Sequence, residues 1–386
     1  MKRIRVATII GTRPEVIKMA PVIRKLEASE QFESLVCFSG QHRDLATETL
    51  ALFGIEPMHD LDLMRESQGL GSLSSLLITE VTKFLMSTKP DLVLVHGDTT
   101  TAFMSSLASF YQRIPVGHVE AGLRTHNISN PFPEELNRQA IARLASIHFA
   151  PTELAKSHLL EEGISEAAIH VTGNTVVDAL RILINKLGSD NKEIQDQKDR
   201  LKIKVGFDYE NSKFVLMTSH RRESLGSDME VSFSQVAELI SRNEEFSIVF
   251  PVHPNPLVKN KADQILGNHG RIHLIEPLDY SEFLILLNQC KFVITDSGGI
   301  QEEAVSLGVP VIVTRDGTER PEGLKSGLLQ LVGNSGSSLL SVAEALIAQM
   351  DASETREGFP DREFNSPYGD GLAADRILEA LRLIKT

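Results

Sequence analysis

Short apolar runs separated by longer segments of helical periodicity set the pattern of this chain. Ile4–Ile10 is the first run; it ends at Gly11, and Pro14 falls where a first helical turn tolerates proline. Leu35–Ser39, Leu92–His96 and Val116–Val119 follow at strand length, and His148–Ala150 and His170–Thr172 read as the last strands of the first half. The alternation restarts with Phe214–Thr218, Ile248–Val252, Ile272–Ile275, Phe292–Thr295 and Pro310–Thr314. This alternation predicts parallel sheets covered on both faces by helices. Between the halves, a helical pattern over Val176–Leu187 gives way to the polar stretch Gly188–Lys202, the best candidate for a domain boundary. The tail Ala373–Ile384 reads as a helix after the turn-rich Ser366-Pro-Tyr-Gly-Asp-Gly371. Two Rossmann-like α/β domains facing each other would leave a cleft where the strand C-termini converge, the edge at which such sheets bind ligands.

Composition narrows the partners. The chain has 386 residues, 41% hydrophobic and 24% charged, enough for a sizeable core in each half. Its net charge of −13, without a long basic run, argues against nucleic acid but not against nucleotides bound by local cations. Cys37 and Cys290 lie far apart beside apolar residues and read as buried thiols. The opening MKRIRVATII imitates a signal peptide until Arg13, Glu15 and Lys18 interrupt it, and no stretch reaches the ~20 apolar residues of a membrane span. The expected compartment is the cytoplasm.

The candidate chemistry sits just after the predicted strands. Gly11-Thr-Arg13-Pro-Glu15 offers a turn, a helix N-terminus and, with Lys18, cations suited to an anion, although any βα turn can carry glycine and proline. Asp98, in His96-Gly-Asp98-Thr-Thr-Thr101, is either the cap of the next helix or a carboxylate aimed into the cleft. Glu120 stands between glycines in Gly117-His-Val-Glu120-Ala-Gly122 and is hard to explain as a solvated face residue. Glu134 and Glu135 open a helix, a position that the macrodipole alone would favour. In the second half, Thr218-Ser-His220-Arg221-Arg222 and Pro251-Val-His253-Pro-Asn-Pro256 both follow strands, the second with a conformational role equally open. Thr295-Asp-Ser297-Gly298-Gly299-Ile-Gln-Glu302-Glu303 is the strongest local signal: a strand, a small-residue turn and a helix whose N–H groups suit a diphosphate. Glu303, one turn into that helix, can accept from ribose hydroxyls, and Arg320 adds a cation from the next strand end. No metal-ligand spacing appears, so the reaction is expected to need neither metal nor cofactor; Asp60-Leu-Asp62 has the look of a metal motif but falls in a polar connection.

Taken together, the blocks GTRPE, HGDTTTAF, GHVEAGLRT, NPFPEELNR, VTGNTVVDAL, SHRRES, PVHPNP, TDSGGIQEEA, TERPEG and SPYGDG span nearly the whole chain. In that order they resemble the bacterial non-hydrolysing UDP-N-acetylglucosamine 2-epimerases. The resemblance implies a GT-B-like fold: residues 1–178 as the domain carrying acid–base carboxylates, 179–365 as the UDP-binding domain, and 366–386 as a helix returning to the first. It implies conversion of UDP-GlcNAc to UDP-ManNAc through a 2-acetamidoglucal intermediate, feeding surface polysaccharides, in a homodimer. Matched motif by motif, it puts catalysis on Asp98, Glu120, Glu134 and His220. Substrate binding falls to Arg13, Lys18, Phe283, Ser297, Gly298, Gly299, Glu303 and Arg320. An activator site for a second UDP-GlcNAc would use Gln41, Arg43, Glu134, Arg221 and His253. The chain departs from the family at Ser67, where activator sites carry arginine, at Gly317-Thr318-Glu319, at Ser224, and along Arg124–Asn130, which leaves a modified hexosamine open as substrate. Rival readings are a hydrolysing 2-epimerase, a GT-B glycosyltransferase and a non-catalytic nucleotide-sugar sensor.

Overall fold

The computed structural model describes residues 3–40, 43–64, 68–188, 192–219, 227–333, 338–350 and 366–383. It divides into two compact units, residues 1–182 with 368–386, and residues 183–367.

The first unit holds a parallel sheet of β1 (Ile4–Ile10), β2 (Phe32–Phe38), β3 (His59–Asp60), β4 (Leu92–His96), β5 (Val116–Val119), β6 (Ile147–Ala150) and β7 (Ile169–Val171). Their spatial order is β3-β2-β1-β4-β5-β6-β7. Chain order reverses between β1 and β4, so the turns leaving those strands diverge to opposite faces and open a crevice at the strand C-termini. Ala7, Ile9, Leu35, Val93, Val95 and Val116 bury one face against Val81, Phe84 and Leu85 of the helix Leu70–Thr88. A strand covered on both faces has no solvent side to vary, which is why its sequence reads as an unbroken apolar run.

The second unit repeats the plan with β8 (Lys213–Thr218), β9 (Phe246–Pro251), β10 (Ile272–Ile275), β11 (Val293–Thr295), β12 (Val311–Val313) and β13 (Leu329–Leu331), parallel in the order β10-β9-β8-β11-β12-β13. Val215, Met217, Ile248, Phe250, Ile294 and Ile312 pack with Phe233, Val236 and Ile240 of the helix Ser227–Arg242 and with Ala343 and Ile347 of the helix Leu339–Met350.

Two expectations needed correction, and one strand was not anticipated. The polar stretch after Leu187 is not simply a connection: Lys192–Val205 is a helix, with Ile194, Leu201 and Val205 buried along one stripe. Asp60 ends the short edge strand β3 of the first sheet rather than lying in a connection, and the unanticipated strand Leu329–Leu331 forms one edge of the second sheet.

The chain end completes the first unit. In the helix Ala373–Arg382, Ala374, Ile377, Leu378 and Leu381 are buried, and the helix packs against the helix Arg13–Glu27. The residue before it, Leu372, supplies no side-chain cap. Asp178 does so from 195 positions away, its carboxylate accepting from the backbone N–H groups of Ala373 at 3.2 Å and Ala374 at 2.9 Å. Gly371, at φ +75°, lies against Arg181, whose guanidinium donates to the carbonyl of Asp370 at 3.1 Å. Replacing Asp178 by alanine removes both caps at once. The Asp178→Ala variant is expected to lose about 1–2 kcal/mol of stability, measured by chemical denaturation; an unchanged midpoint would show that water caps the helix equally well.

Candidate active site

Gly11, at the end of β1, is required for space rather than for a left-handed backbone. A Cβ there would lie 2.2 Å from Ser39 Oγ and 2.6 Å from Thr101 Oγ1, two hydroxyls 3.0 Å apart. Thr12 then caps the helix Arg13–Glu27 in a capping box with Glu15. Glu15 Oε2 accepts from the N–H groups of Gly11 at 3.0 Å and Thr12 at 2.8 Å and from Thr12 Oγ1 at 2.9 Å, while Oε1 accepts from Thr99 Oγ1 at 2.7 Å. Thr99 belongs to the turn after β4, so this one carboxylate ties together the two turns flanking the crevice. Burial raises its pKa against the opposing pull of those bonds.

In the turn after β4, Asp98 is not the cap of the next helix. Thr99, not Asp98, caps the following helix Thr100–Tyr111, its Oγ1 accepting from Ala102 N at 3.0 Å. Asp98 is thereby released, and its carboxylate pairs with Arg138 of the helix Glu134–Leu144. Asn137 of the same helix donates to the Asp98 carbonyl at 2.8 Å, so the helix that begins with half-buried Glu134 is pinned to the Asp98 turn. Glu135 is the structural member of the acidic pair: fully buried, it accepts from the N–H groups of Thr125 at 3.0 Å and His126 at 3.1 Å and from Gln139 at 2.9 Å. Desolvation pushes its pKa up, but these bonds and Arg138 outweigh it and leave the pKa lowered.

Glu120 follows β5 with φ +64°, in the left-handed region that non-glycine residues rarely enter. Its side chain is 7% exposed and is held by an ion pair to Lys18 Nζ and a 2.7 Å hydrogen bond from Asn174 Nδ2. His96 Nε2 stands 3.7 Å from the same Oε2. A Cβ on Gly97 would come within 3.9 Å of Oε1, which places Glu120 beside the Asp98 turn. A strained backbone, a buried charge pair and a second ion-paired carboxylate converge on one strand edge, the setting in which groups suited to proton transfer are found.

His118, which the sequence reading passed over, orders this corner. Wholly buried in β5, it donates from Nε2 to the Gly97 carbonyl at 2.7 Å. Desolvation lowers its pKa to about 3, and that of its register partner His148 in β6 to about 4.

In the second unit, Ser297 precedes the helix Gly298–Ser306 and makes no side-chain cap. The first peptide N–H groups of that helix therefore face outward without an intrahelical partner, as an anion would require. Thr295 Oγ1 fixes the turn, accepting from Ser297 N at 3.0 Å and lying 2.7 Å from Thr218 Oγ1. Arg320 lies against Gly298, where a Cβ would meet Nη1 at 2.6 Å, whereas Gly299 has open space at its Cα. Arg320 is bound to Glu302 at 2.6 Å and to Glu319, which also pairs with Arg315 at 3.3 Å. Glu303 Oε1 accepts from Tyr280 Oη at 2.8 Å, with Phe283 buried on the same helix Tyr280–Gln289. His253 is exposed, its Nδ1 accepting from Asn255 N at 3.2 Å. Gln41, His220, Arg221 and the departures Ser67 and Ser224 lie outside the described residues, as does the side chain of Arg43. No group of His, Cys, Asp or Glu able to hold a metal occurs among the described residues, and none of their helices is long and apolar enough to cross a membrane.

A family model described as UDP-N-acetylglucosamine 2-epimerase matches residues 24–382. The chain belongs to the UDP-N-acetylglucosamine 2-epimerase family. Its sequence is 46% identical over 378 residues to the enzyme of that name from Yersinia pestis, covering 98% of both chains, and 43% identical over 378 residues to that of Escherichia coli K12. Among solved structures, the UDP-GlcNAc 2-epimerase of Neisseria meningitidis bound to UDP-GlcNAc matches with a TM-score of 0.90 at 43% identity. That match covers 98% of this chain and 100% of the other. The Methanocaldococcus jannaschii UDP-GlcNAc 2-epimerase in complex with UDP-GlcNAc and UDP matches with a TM-score of 0.83 at 32% identity, covering 98% and 99%. This 2-epimerase-family chain thus shares the GT-B-like α/β fold of these proteins over nearly their full length.

The two depressed histidines give the family member a pH signature. In the unfolded chain both would titrate near about 6.5. Between there and their folded values the unfolded chain binds protons that the folded chain refuses, so stability is retained above about 6.5 and lost as pH falls toward 4. His148→Gln should show a smaller drop in unfolding midpoint between pH 7 and pH 5 than the wild type; an equal drop would assign the acid sensitivity elsewhere.

Proposed function

We propose that this protein interconverts UDP-GlcNAc and UDP-ManNAc by inverting carbon 2. The observation that carries the reading is the corner of the first unit where Glu120, strained and gripped by Lys18, adjoins the Asp98 turn and the helix begun by Glu134. The carbon 2 hydrogen is not acidic, because no carbonyl adjoins it. It can leave as a proton if the bond from carbon 1 to the UDP oxygen breaks as well, the electron pair of that bond departing with UDP. The product, 2-acetamidoglucal, takes a proton back on its other face while UDP re-adds to carbon 1. Such a cycle needs acid–base groups on both faces of the ring, for which Asp98, Glu120 and Glu134 are assigned as a set.

The second unit supplies the grip on the leaving group. The N–H groups at Ser297, Gly298 and Gly299 suit the diphosphate, with Arg320 packed beside them; Arg13 is assigned to substrate binding and His220 to catalysis. Glu303, oriented by Tyr280, suits the ribose and Phe283 the uracil. Lys18 acts here mainly through Glu120, the partner to which its ammonium is bound. We place the enzyme in the cytoplasm, as a homodimer supplying surface polysaccharide synthesis, with Gln41, Arg43, Glu134, Arg221 and His253 as the candidate set for a second, activating UDP-GlcNAc.

NMR of UDP-GlcNAc with the enzyme in heavy water tests the reaction. The carbon 2 proton should vanish as a manno nucleotide sugar grows; stoichiometric free UDP would indicate a hydrolysing enzyme, and binding without exchange a sensor. Asp98→Asn and Glu120→Gln should each lower turnover by ~10²–10⁴-fold, the usual contribution of an acid–base group. Near-normal rates in either would remove that residue from the mechanism. Glu303→Ala should raise KM for the nucleotide sugar with a smaller effect on kcat, and an unchanged KM would take the ribose away from it.

A further inference from the structure

The turn between β7 and the helix Thr175–Leu187 holds a residue that the reaction scheme above does not use. Asn174 is 3% exposed, and three of its groups are engaged in different directions. Its backbone N–H donates to the Tyr368 carbonyl at 2.7 Å. Its Oδ1 accepts from Val176 N at 3.0 Å, at the start of the helix, and its Nδ2 donates to Glu120 Oε2 at 2.7 Å. Because the oxygen is committed to a peptide N–H, the network assigns the amide so that only its nitrogen can face the carboxylate.

The Tyr368 carbonyl belongs to the segment by which the chain returns to the first unit. Arg376, in the helix Ala373–Arg382, donates to the Thr172 carbonyl at 3.0 Å and is paired with Asp370 at 2.8 and 2.7 Å. Gly173, at φ +88°, and Gly369, at φ +134°, pass so closely that a Cβ on Gly369 would lie 3.2 Å from Gly173 Cα and 3.5 Å from Asn174 N. Both sides of the turn carrying Asn174 are therefore set by residues from the end of the chain.

We propose that Asn174 is a positioning residue for Glu120, and that docking of the returning segment onto residues 172–174 sets the direction of that carboxylate. The inference rests on Glu120 acting as an acid–base group. Glu120 is met by Lys18 from the helix Arg13–Glu27, by His96 from the end of β4 and by Asn174. Lys18 balances its charge. Asn174 brings no charge and contributes direction alone, fixing one carboxylate oxygen at a site where a 1 Å misplacement can cost roughly 10²-fold in rate.

Two substitutions separate orientation from folding. Asn174→Asp keeps an oxygen for Val176 N–H but turns a second carboxylate oxygen toward Glu120, and like charges in contact favour protonation. The acidic limb of its kcat/KM profile should move to higher pH by about one unit, with KM for UDP-GlcNAc near that of the wild type at pH 8. Asn174→Ser also keeps an oxygen for the helix start but is too short to reach Glu120. Its kcat should fall by roughly 10–100-fold with KM within about twofold, at an unfolding midpoint close to that of the wild type. Should the aspartate variant not fold, the serine variant decides. An unshifted profile in a folded Asn174→Asp, or a wild-type kcat in Asn174→Ser, overturns the proposal while leaving the epimerase reading intact. A wild-type enzyme without carbon 2 exchange would sink both.

Discussion

A lysine and a glutamate, each withdrawn almost completely from water, meet at the C-terminal edge of the first sheet, and the surrounding structure is arranged to keep them together. Lys18 and Glu120 have 6% and 7% of their side chains exposed. Stripping one partner from such a pair typically costs ~3–5 kcal/mol, because the other charge is left buried alone. The sequence around Glu120 reflects that constraint. Gly122, at φ +91°, lies where a Cβ would stand 2.2 Å from the Ala155 carbonyl, so the chain can turn away from β5 only without a side chain there. His118, held neutral by burial, secures the adjoining Gly97 turn without adding a competing charge. Glu120 keeps its positive φ inside this frame, with its side chain bound by Lys18 and Asn174.

The two units share a strand plan and use its open edge differently. In the first, side chains do the work: Glu15 joins the turns after β1 and β4, Arg138 holds Asp98, and Lys18 holds Glu120. In the second, peptide groups dominate. Arg315 and Arg320 are interleaved with Glu302 and Glu319 beside the uncapped N-terminus of the helix Gly298–Ser306. The dipole and N–H groups of a helix N-terminus act at short range, so a net charge of −13 does not decide what such a terminus attracts.

Much of the scaffold was legible from the sequence because buried parallel strands write themselves as apolar runs. Ile4–Ile10, Leu92–His96, Val116–Val119 and Ile272–Ile275 appear with the bounds their composition suggests. His59–Asp60 and Leu329–Leu331 are edge pieces of two and three residues, too short to show a period. The helix Lys192–Val205 was masked by its polar content, although Ile194, Leu201 and Val205 carry a stripe. At the site, the blocks pointed to Asp98, Glu120 and the glutamate pair but could not assign roles within them. Only a cap from Thr99 frees Asp98, and only bonds to Thr125 and His126 make Glu135 structural. Asp178 and Asn174 escaped because their partners lie 195 and 54 positions away. Spacing within a motif carries no trace of such contacts.

The first unit is assembled from residues 1–182 and 368–386, with the whole of the second inserted between them. During synthesis, residues 183–367 emerge from the ribosome while the earlier unit still lacks the helix that covers Arg13–Glu27 and the carbonyl that fastens residue 174. Without residues 368–383 the backbone N–H of Asn174 would lose its carbonyl and the carboxylate of Asp178 its two peptide partners, so the order around Glu120 depends on a segment the chain reaches only after crossing the whole of the second unit.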